Sequence, residues 1–155
     1  MKRVTIILVL TLCAVSSLFA VSAEDISSES IAAMLSEAGY DAWVDEEGDV
    51  TVTDQYGMEY WIMAYPEENR LWIQSGWTAS DEITSRDAYN LVNESNRNLF
   101  FARCWYEPVS RTFYADYDLL YPSSGLDADF LAPFLEEFFL AADIFTDYLI
   151  GEGAL

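Results

Sequence analysis

The sequence predicts an α+β domain in which helices pack mainly on one face of a mostly antiparallel sheet. Three observations support this fold class. Short segments alternate apolar and polar residues as strands do, turn sequences separate these segments, and three longer segments repeat apolar residues at helical spacing. The resulting order is α-β-β-β-β-α-β-β-α, which groups the strands in hairpins instead of βαβ units.

The first helix is predicted over residues 27–38, because apolar residues recur there at helical spacing and Gly39 follows where a C-terminal glycine belongs. Two short strands, 42–46 and 49–53, come next. The dipeptide Glu47-Gly48 between them predicts a two-residue hairpin turn, since glycine accepts a positive φ angle.

The middle of the chain contains two longer strands and the second helix. Strands 58–65 and 70–77 flank a turn that contains proline and asparagine. Thr84 opens a segment of capping-box form, with Asp87 in place of the usual glutamate. This segment predicts a helix that ends near Asn98.

The last third of the chain contains another hairpin, with strands 99–106 and 111–119, and a long final helix that begins at about 127–131 and ends at 149. Because proline fits only near a helix start, Pro133 places the regular part of this helix from about Leu131. Apolar side chains cover close to half of the helix, which is more than one sheet contact needs. Packing against both the sheet and the first helix explains the excess, and a dimer contact is the alternative.

Four of the five tryptophans fall on the strand parity that should face away from the core. In each strand one parity carries plain core residues, and the other mixes a tryptophan with charged or amide residues. These tryptophans are Trp43, Trp61, Trp72 and Trp105. In strand 99–106 the core parity consists of Phe100, Ala102 and Cys104. A half-buried antiparallel sheet should be polar on its outer side, so the pattern predicts an aromatic binding surface.

Three different structures could cover this surface. One is a second copy of the domain, in a homodimer through the sheet or the last helix. Another is a segment of a partner protein, with Arg103 as a polar anchor among the aromatic residues. A loop or helix of this same chain is the third. A different class of function is small-ligand binding, for example of a sugar stacked on Trp61, Trp72 or Trp105. A concave pocket would favour the ligand, and a flat apolar face would favour protein contact.

The first 23 residues have the three-part plan of a secretory signal peptide. A basic start at residues 1–3 precedes an apolar run over residues 4–20, and Val21-Ser22-Ala23 offers small residues where signal peptidase cleaves. An uncleaved membrane anchor is the alternative, but the run is shorter than the ~20 apolar residues that a membrane span needs. Residues 24–155 are therefore expected to form one exported domain, periplasmic or extracellular, with no membrane span after cleavage.

The expected mature chain is strongly acidic. Removal of residues 1–23 would take away Lys2 and Arg3 and leave five arginines and 27 acidic residues, a formal net charge of −22 (5 − 27). A charge this negative repels nucleic acid, phosphates and anionic membranes, so no nucleic-acid partner is expected. A basic partner fits the charge, and ordinary solvation of a charged surface also explains it.

The residue types exclude the common catalytic and metal-binding arrangements. The chain has no histidine, which excludes Ser-His and Cys-His nucleophiles and the usual zinc sites, and it has no glycine-rich phosphate loop. Two pairs, Asp116/Asp118 and Asp127/Asp129, have D-x-D spacing without the rest of a calcium loop, so loop solvation and helix capping are their expected roles. Cys104 is expected to be a buried apolar residue. We expect neither an enzyme nor a protein that depends on a cofactor or metal.

The second predicted helix ends in an asparagine-rich segment that contains Leu91, Asn93 and Asn96. Asparagine is a poor helix former, so this composition needs a reason other than helix propensity. Side-chain amides here could bond backbone groups where the helix passes into strand 99–106, which predicts a structural role for them.

A helix that ends in Leu-x-Asn-x-x-Asn, followed by a hairpin, then Asp118-Leu119, a glycine-containing loop and a long apolar helix, resembles the YbjN family over residues 27–150. That family is similar in fold to the chaperones of bacterial type III secretion, which are small acidic α+β dimers that hold a partner polypeptide. The resemblance implies a non-enzymatic, chaperone-like binding module and supplies no catalytic residues. The export signal departs from the family pattern and argues against a cytosolic regulatory or injectisome role.

Overall fold

The structure, a computed structural model, describes residues 20–155 and has three α-helices and six β-strands in that part of the chain. The helices are α1 (Ser28–Glu37), α2 (Ser85–Asn98) and α3 (Ala128–Gly151). The strands are β1 (Asp41–Val44), β2 (Val50–Thr53), β3 (Glu59–Tyr65), β4 (Arg70–Thr78), β5 (Arg103–Glu107) and β6 (Thr112–Leu120). Their order along the chain confirms the predicted α-β-β-β-β-α-β-β-α arrangement.

All six strands join one sheet with the spatial order β1-β2-β3-β4-β6-β5. Each neighbouring pair is antiparallel, and the longest ladder joins β4 to β6 over nine residue pairs. Strand β6 therefore lies between β4 and β5, and α2 connects β4 to the outer strand β5. The predicted α+β class with an antiparallel sheet is confirmed.

The helices pack on one face of the sheet and form the core there. From α3, Phe138 and Phe139 pack against Tyr60 of β3, and Phe145 meets Trp77 of β4 edge to face. The fifth tryptophan, Trp77, is thus half-buried against the core, on the opposite face from the other four. Helix α1 contacts β1, β2 and β3, and α2 contacts β5. The opposite face of the sheet carries no helix among the described residues, and we call it the open face.

Side chains at the helix starts explain why the helices begin where they do. Ser27 and Ser30 form a reciprocal capping box at α1. The hydroxyl of Thr84 accepts a hydrogen bond from the amide of Asp87 at the start of α2. At α3, the carboxylate of Asp127 accepts one from the amide of Phe130 at 2.7 Å. The predicted starts of α1 and α2 agree with these caps to within a residue.

Three predicted boundaries were wrong. The β1–β2 loop has five residues rather than two, because the carboxylate of Asp45 accepts hydrogen bonds from the amides of Glu47 and Asp49 and closes a wider turn. Helix α3 begins at Ala128, within the expected range of 127–131, but its regular part begins there and not at Leu131, and it contains Pro133. The hydrogen bond that Pro133 cannot donate would go to the carbonyl of Asp129, and both residues are exposed, so water can replace it.

The third error concerns the start of β5. The strand begins at Arg103, and residues 99–102 form an irregular connection from α2. Phe100, which the alternation placed in the core, is 99% exposed, whereas Cys104 is buried. Side chains point to alternate faces only within the strand, so the alternation does not apply to residues 99–102.

The predicted signal peptide lies mostly outside the described residues. Of its last residues, Val21 pairs with Leu126 in an isolated antiparallel bridge, and Ala23 starts a short 3₁₀ turn. No helix within residues 20–155 has both the length and the apolar character for a membrane crossing.

Candidate functional site

The structure places all four of the predicted tryptophans on the open face. The strand register aligns six residues in one row across all six strands: Trp43, Thr51, Trp61, Gln74, Asp116 and Arg103. With neighbouring strands about 4.8 Å apart, this row is roughly 24 Å long. Its β1–β3 end is aromatic, and its β5–β6 end is charged.

Asp116 organises the charged end of this row. Its carboxylate accepts hydrogen bonds from Nε and Nη2 of Arg103, both at 2.9 Å, and from the indole Nε1 of Trp105 at 2.7 Å. Asp116 is only 2% exposed, although none of the helices in the described part of the chain covers it, because these two side chains lie over it. Arg103, predicted as an anchor for a partner, is therefore already paired within the chain, and its main role here is to hold Asp116.

A flat aromatic platform lies beside this cluster. The rings of Trp105 and Tyr114 stack with their centroids 4.3 Å apart. Tyr114 in turn lies across β4 at Gly76, where a Cβ atom would come within 2.9 Å of the Tyr114 ring. Glycine is needed at this point of the strand because the ring occupies the space of a side chain. The hydrogen bond to Asp116 fixes the orientation of Trp105, so the platform is preorganised.

The other three tryptophans are held by neighbours on the same face. Thr51 lies between Trp43 and Trp61 in the register and is 2% exposed, since the flanking indoles shield it. Trp72 lies opposite Met63 on β3, and its Nε1 is shielded from solvent without an acceptor in residues 20–155. Trp43, on the edge strand, is the most exposed of the four, at 40%.

A second ion-pair cluster lies at the far end of the open face. Arg70 donates to Glu68 at 2.9 Å and to Asp118 at 2.8 Å, and its guanidinium stacks over the ring of Tyr65. The expected roles in loop solvation and capping were wrong for Asp116 and Asp118, because both lie in β6 and pair with arginines. The capping role is confirmed for Asp127, which caps α3. The alternation that located the tryptophans also places Tyr114, Asp116 and Asp118 on one parity, and this was the signal that could have found them.

Two hollows adjoin the sheet. A cleft of about 610 Å³ opens between α3 and the ends of β1 and β2, and carboxylates and aromatic rings line it. In it Tyr40 donates to Glu136 at 3.0 Å, and burial, together with that bond, raises the pKa of Tyr40 to about 12. A smaller recess of about 470 Å³ lies at the end of the sheet, with Trp61 and Gly76 in its walls.

The asparagine-rich end of α2 protects the edge of the sheet. The side chain of Asn96 accepts a hydrogen bond from the amide of Cys104 and donates one to its carbonyl, both at 2.8 Å. The predicted structural role of the amides is thus confirmed for Asn96, whereas Asn93 is exposed. The thiol of Cys104 is buried as predicted, and burial raises its pKa to about 12.

Solved structures of low sequence identity share this fold. The crystal structure of YbjN from E. coli superposes with a TM-score of 0.70 at 9% identity, over 84% of this chain and 95% of the other. An uncharacterised protein from Methanothermobacter thermautotrophicus gives 0.58 at 17% identity, over 82% and 98%. The structure of the ExsC–ExsE complex contains a chain that gives 0.55 at 14% identity, over 77% and 93%. At these identities the likeness concerns the fold alone.

A comparison with curated protein sequences finds no match. The family model of YbjN, described as "Putative bacterial sensory transduction regulator", matches residues 27–150, which is the region of the predicted resemblance. That region contains all three helices except the last residue of α3, together with the whole sheet. The chain therefore belongs to the YbjN family.

Proposed function

We propose that this protein is an exported, non-enzymatic binding module that holds basic polypeptide segments on its open face in a chaperone-like manner. The observation that carries the proposal is the arrangement of four tryptophans and Tyr114 on a sheet face that no helix of residues 20–155 covers. Large aromatic side chains are the residues that most often dominate protein interfaces.

The size of this surface suits a protein contact. Each large aromatic side chain buries ~150–250 Å², so four tryptophans offer roughly 600 Å² and at most about 1,000 Å², close to one partner's share of an ordinary interface. The tryptophans are already partly buried by their neighbours, so the gain on binding is smaller than this limit. Because Asp116 fixes Trp105 before a partner arrives, little conformational freedom remains to be lost on binding.

The charge of the surface selects a basic partner. Five acidic residues share the open face with the tryptophans: Asp41, Glu59, Glu107, Asp116 and Asp118. The arginines of this face, Arg70 and Arg103, are each paired with an aspartate. A segment that combines lysine or arginine with apolar side chains would therefore find complementary groups, whereas a second copy on this face would meet like charge.

The structural comparisons support partner binding in general terms. The ExsC–ExsE structure is that of a complex, and one of its chains has the fold of this protein. The fold is thus compatible with a bound partner polypeptide.

Peptide binding tests the proposal directly. Two short fluorescein-labelled peptides should share the same aromatic and leucine residues, one with lysine and arginine between them and the other with glutamate. We expect the basic peptide to bind and the acidic one to bind far more weakly. Trp61→Ser and Trp105→Ser should each weaken binding by about tenfold or more. Gly76→Ala should also weaken it, because the new Cβ displaces Tyr114 from the platform.

Tyr89→Ser is the matched control, since Tyr89 is a half-exposed aromatic residue on α2, on the helical side of the sheet. Equal losses in Tyr89→Ser and Trp61→Ser would contradict the open face as the site. Equal binding of both peptides would contradict the basic partner.

Export is part of the proposal and rests on the sequence of residues 1–23. N-terminal sequencing of the protein recovered outside the cytoplasm should begin at Glu24. Cleavage there would remove the Val21–Leu126 bridge from the mature protein. Recovery of the full-length chain in the cytoplasm alone would contradict export.

Binding of a small ligand such as a sugar is the second candidate, and the recess beside Trp61 and Gly76 favours it. Sugars stack on flat aromatic faces, so a saturable change of tryptophan fluorescence on titration with oligosaccharides would support this candidate. The change should disappear in Trp61→Ser.

A further inference from the structure

We propose that two copies of the protein associate by exchanging Phe100, with the ring of each copy filling an apolar socket between α2 and α3 of the other. This inference concerns the helical side of the molecule and does not depend on the proposed function of the open face.

Phe100 is the most exposed large apolar residue in the described part of the chain, at 99%. Its neighbours on both sides are anchored. Leu99 is partly buried against the core, and Phe101 stacks on Tyr117 with a centroid distance of 4.3 Å. The backbone therefore presents the Phe100 ring to solvent from a fixed position, and burial of that ring on association would be favourable.

A socket of suitable size lies next to this ring. It has a volume of about 210 Å³ and mostly apolar walls, formed by Ser95, Asn98, Leu99, Ile144, Phe145 and Tyr148. A cavity of about 150 Å³ with Leu, Ile and Phe walls is enough to bind benzene, so this socket can hold a phenyl ring. Ile144 on its rim is half exposed, which the broad apolar stripe of α3 did not predict.

The positions of ring and socket suit a two-fold arrangement. Leu99 forms part of the socket wall and directly precedes Phe100, so ring and socket are adjacent on one surface. A two-fold axis that passes between them brings each ring to the socket of the other copy and closes the assembly as a dimer. The ring does not enter the socket of its own chain, because it is fully exposed.

The occupant is a second copy because ring and socket lie side by side on the same surface, so each copy supplies the ring that the socket of the other accepts. Arg97, near the end of α2, pairs with Glu94 of its own chain at 3.0 Å. Helix α2 as a whole carries two arginines and two acidic residues, so it presents no net charge that would repel a second copy.

Sedimentation velocity over roughly a thousandfold range of concentration tests the proposal. The wild-type protein should show a reversible shift from monomer to dimer, since a contact this small gives a transient interface. Phe100→Ser and Ile144→Glu should each keep the protein monomeric throughout the range. Both residues are exposed, so both variants should fold, and circular dichroism checks this.

Two controls match these variants. Val109→Ser removes another apolar side chain that is 92% exposed, in the β5–β6 turn, and should leave dimerisation unchanged. Leu140 lies one turn away from Ile144 on α3 and outside the socket. Leu140→Glu adds the same charge as Ile144→Glu, and it should also leave dimerisation unchanged. A wild-type protein that is monomeric throughout would overturn the proposal. A dimer that persists in Phe100→Ser, or one that Phe100→Ser disrupts but Ile144→Glu does not, would overturn it as well.

Discussion

Asn96 bonds both backbone polar groups of Cys104 with a single side-chain amide, at 2.8 Å each. It thereby satisfies groups on the outer edge of β5, an edge strand of the sheet. The unpaired backbone groups of an exposed edge strand can pair with another chain, so this contact also reduces the tendency to aggregate.

We expect Asn96→Ala to lower the free energy of unfolding by about 1–3 kcal/mol, because two backbone groups lose their partners. Urea denaturation followed by circular dichroism measures this loss. Asn93→Ala, in the same helix, is the control and should change stability by less than about 0.5 kcal/mol. Equal effects of the two changes would refute the role of Asn96 at the sheet edge.

Two buried tyrosines should respond oppositely to removal of the hydroxyl. The Tyr106 hydroxyl is buried and has no hydrogen-bond partner within residues 20–155, so Tyr106→Phe should leave stability unchanged or raise it by up to about 1 kcal/mol. The Tyr60 hydroxyl donates to the carboxylate of Asp54 at 2.9 Å, so Tyr60→Phe should lower stability by about 1–2 kcal/mol. Thermal unfolding of the pair checks both, and a large loss in Tyr106→Phe would show that its hydroxyl has a partner.

The thiol of Cys104 should be unreactive while the protein is folded. It is 2% exposed, and burial raises its pKa to about 12, so little thiolate forms near neutral pH and reagents cannot reach it. A chromogenic disulfide reagent should label it within minutes in urea and only slowly in buffer. Because the folded pKa lies above the unfolded one, the thiol's contribution to stability is complete below pH 9.0 and is lost as the pH rises through about 12. Rapid labelling of the folded protein would contradict the burial.

Asp143 should make the protein more stable in mild acid. Burial raises its pKa, and the charges of Asp54 and Asp147 act in the same direction. The folded state therefore binds the proton more tightly than the unfolded state, and the cost of the charged form is relieved as the pH falls through the folded pKa towards 3.8. Asp143→Asn should raise stability at neutral pH and reduce the gain on acidification. Glu137→Gln is the control, since it removes one charge from the exposed side of the same helix. It should raise stability at neutral pH less than Asp143→Asn does.

The side of the sheet on which each tryptophan lies could be predicted because alternation is a local property of a strand. Trp61 and Trp72 needed only their immediate neighbours for this assignment. The pairing of Asp116 with Arg103 could not be predicted in the same way. It depends on the register between β5 and β6, which the hairpin turn and the surrounding packing set.

Phe100 shows the limit of the same reasoning. The residues from Leu99 to Ala102 connect a helix to a strand, and no regular spacing governs such a connection. Apolar residue types there resemble a strand, although Phe100 is exposed and Phe101 packs inward. Only the position of α2 on the sheet determines that Phe101 packs inward and Phe100 does not.

The strand order also has a consequence for how the chain folds. Strands β1 to β4 form a meander in which each strand pairs with the next in sequence, and such local contacts form quickly. The ladder between β4 and β6 should form later. Its pair with the smallest sequence separation, Thr78 and Thr112, is joined only after the long segment with α2 and β5 closes into a loop. We therefore expect amides of β2 and β3 to gain protection from hydrogen exchange before those of β6 in pulse-labelled refolding. If the chain is exported N-terminus first, as proposed, strands β1–β4 can pair while the second half is still crossing the membrane, with β4 as the temporary edge strand of the sheet.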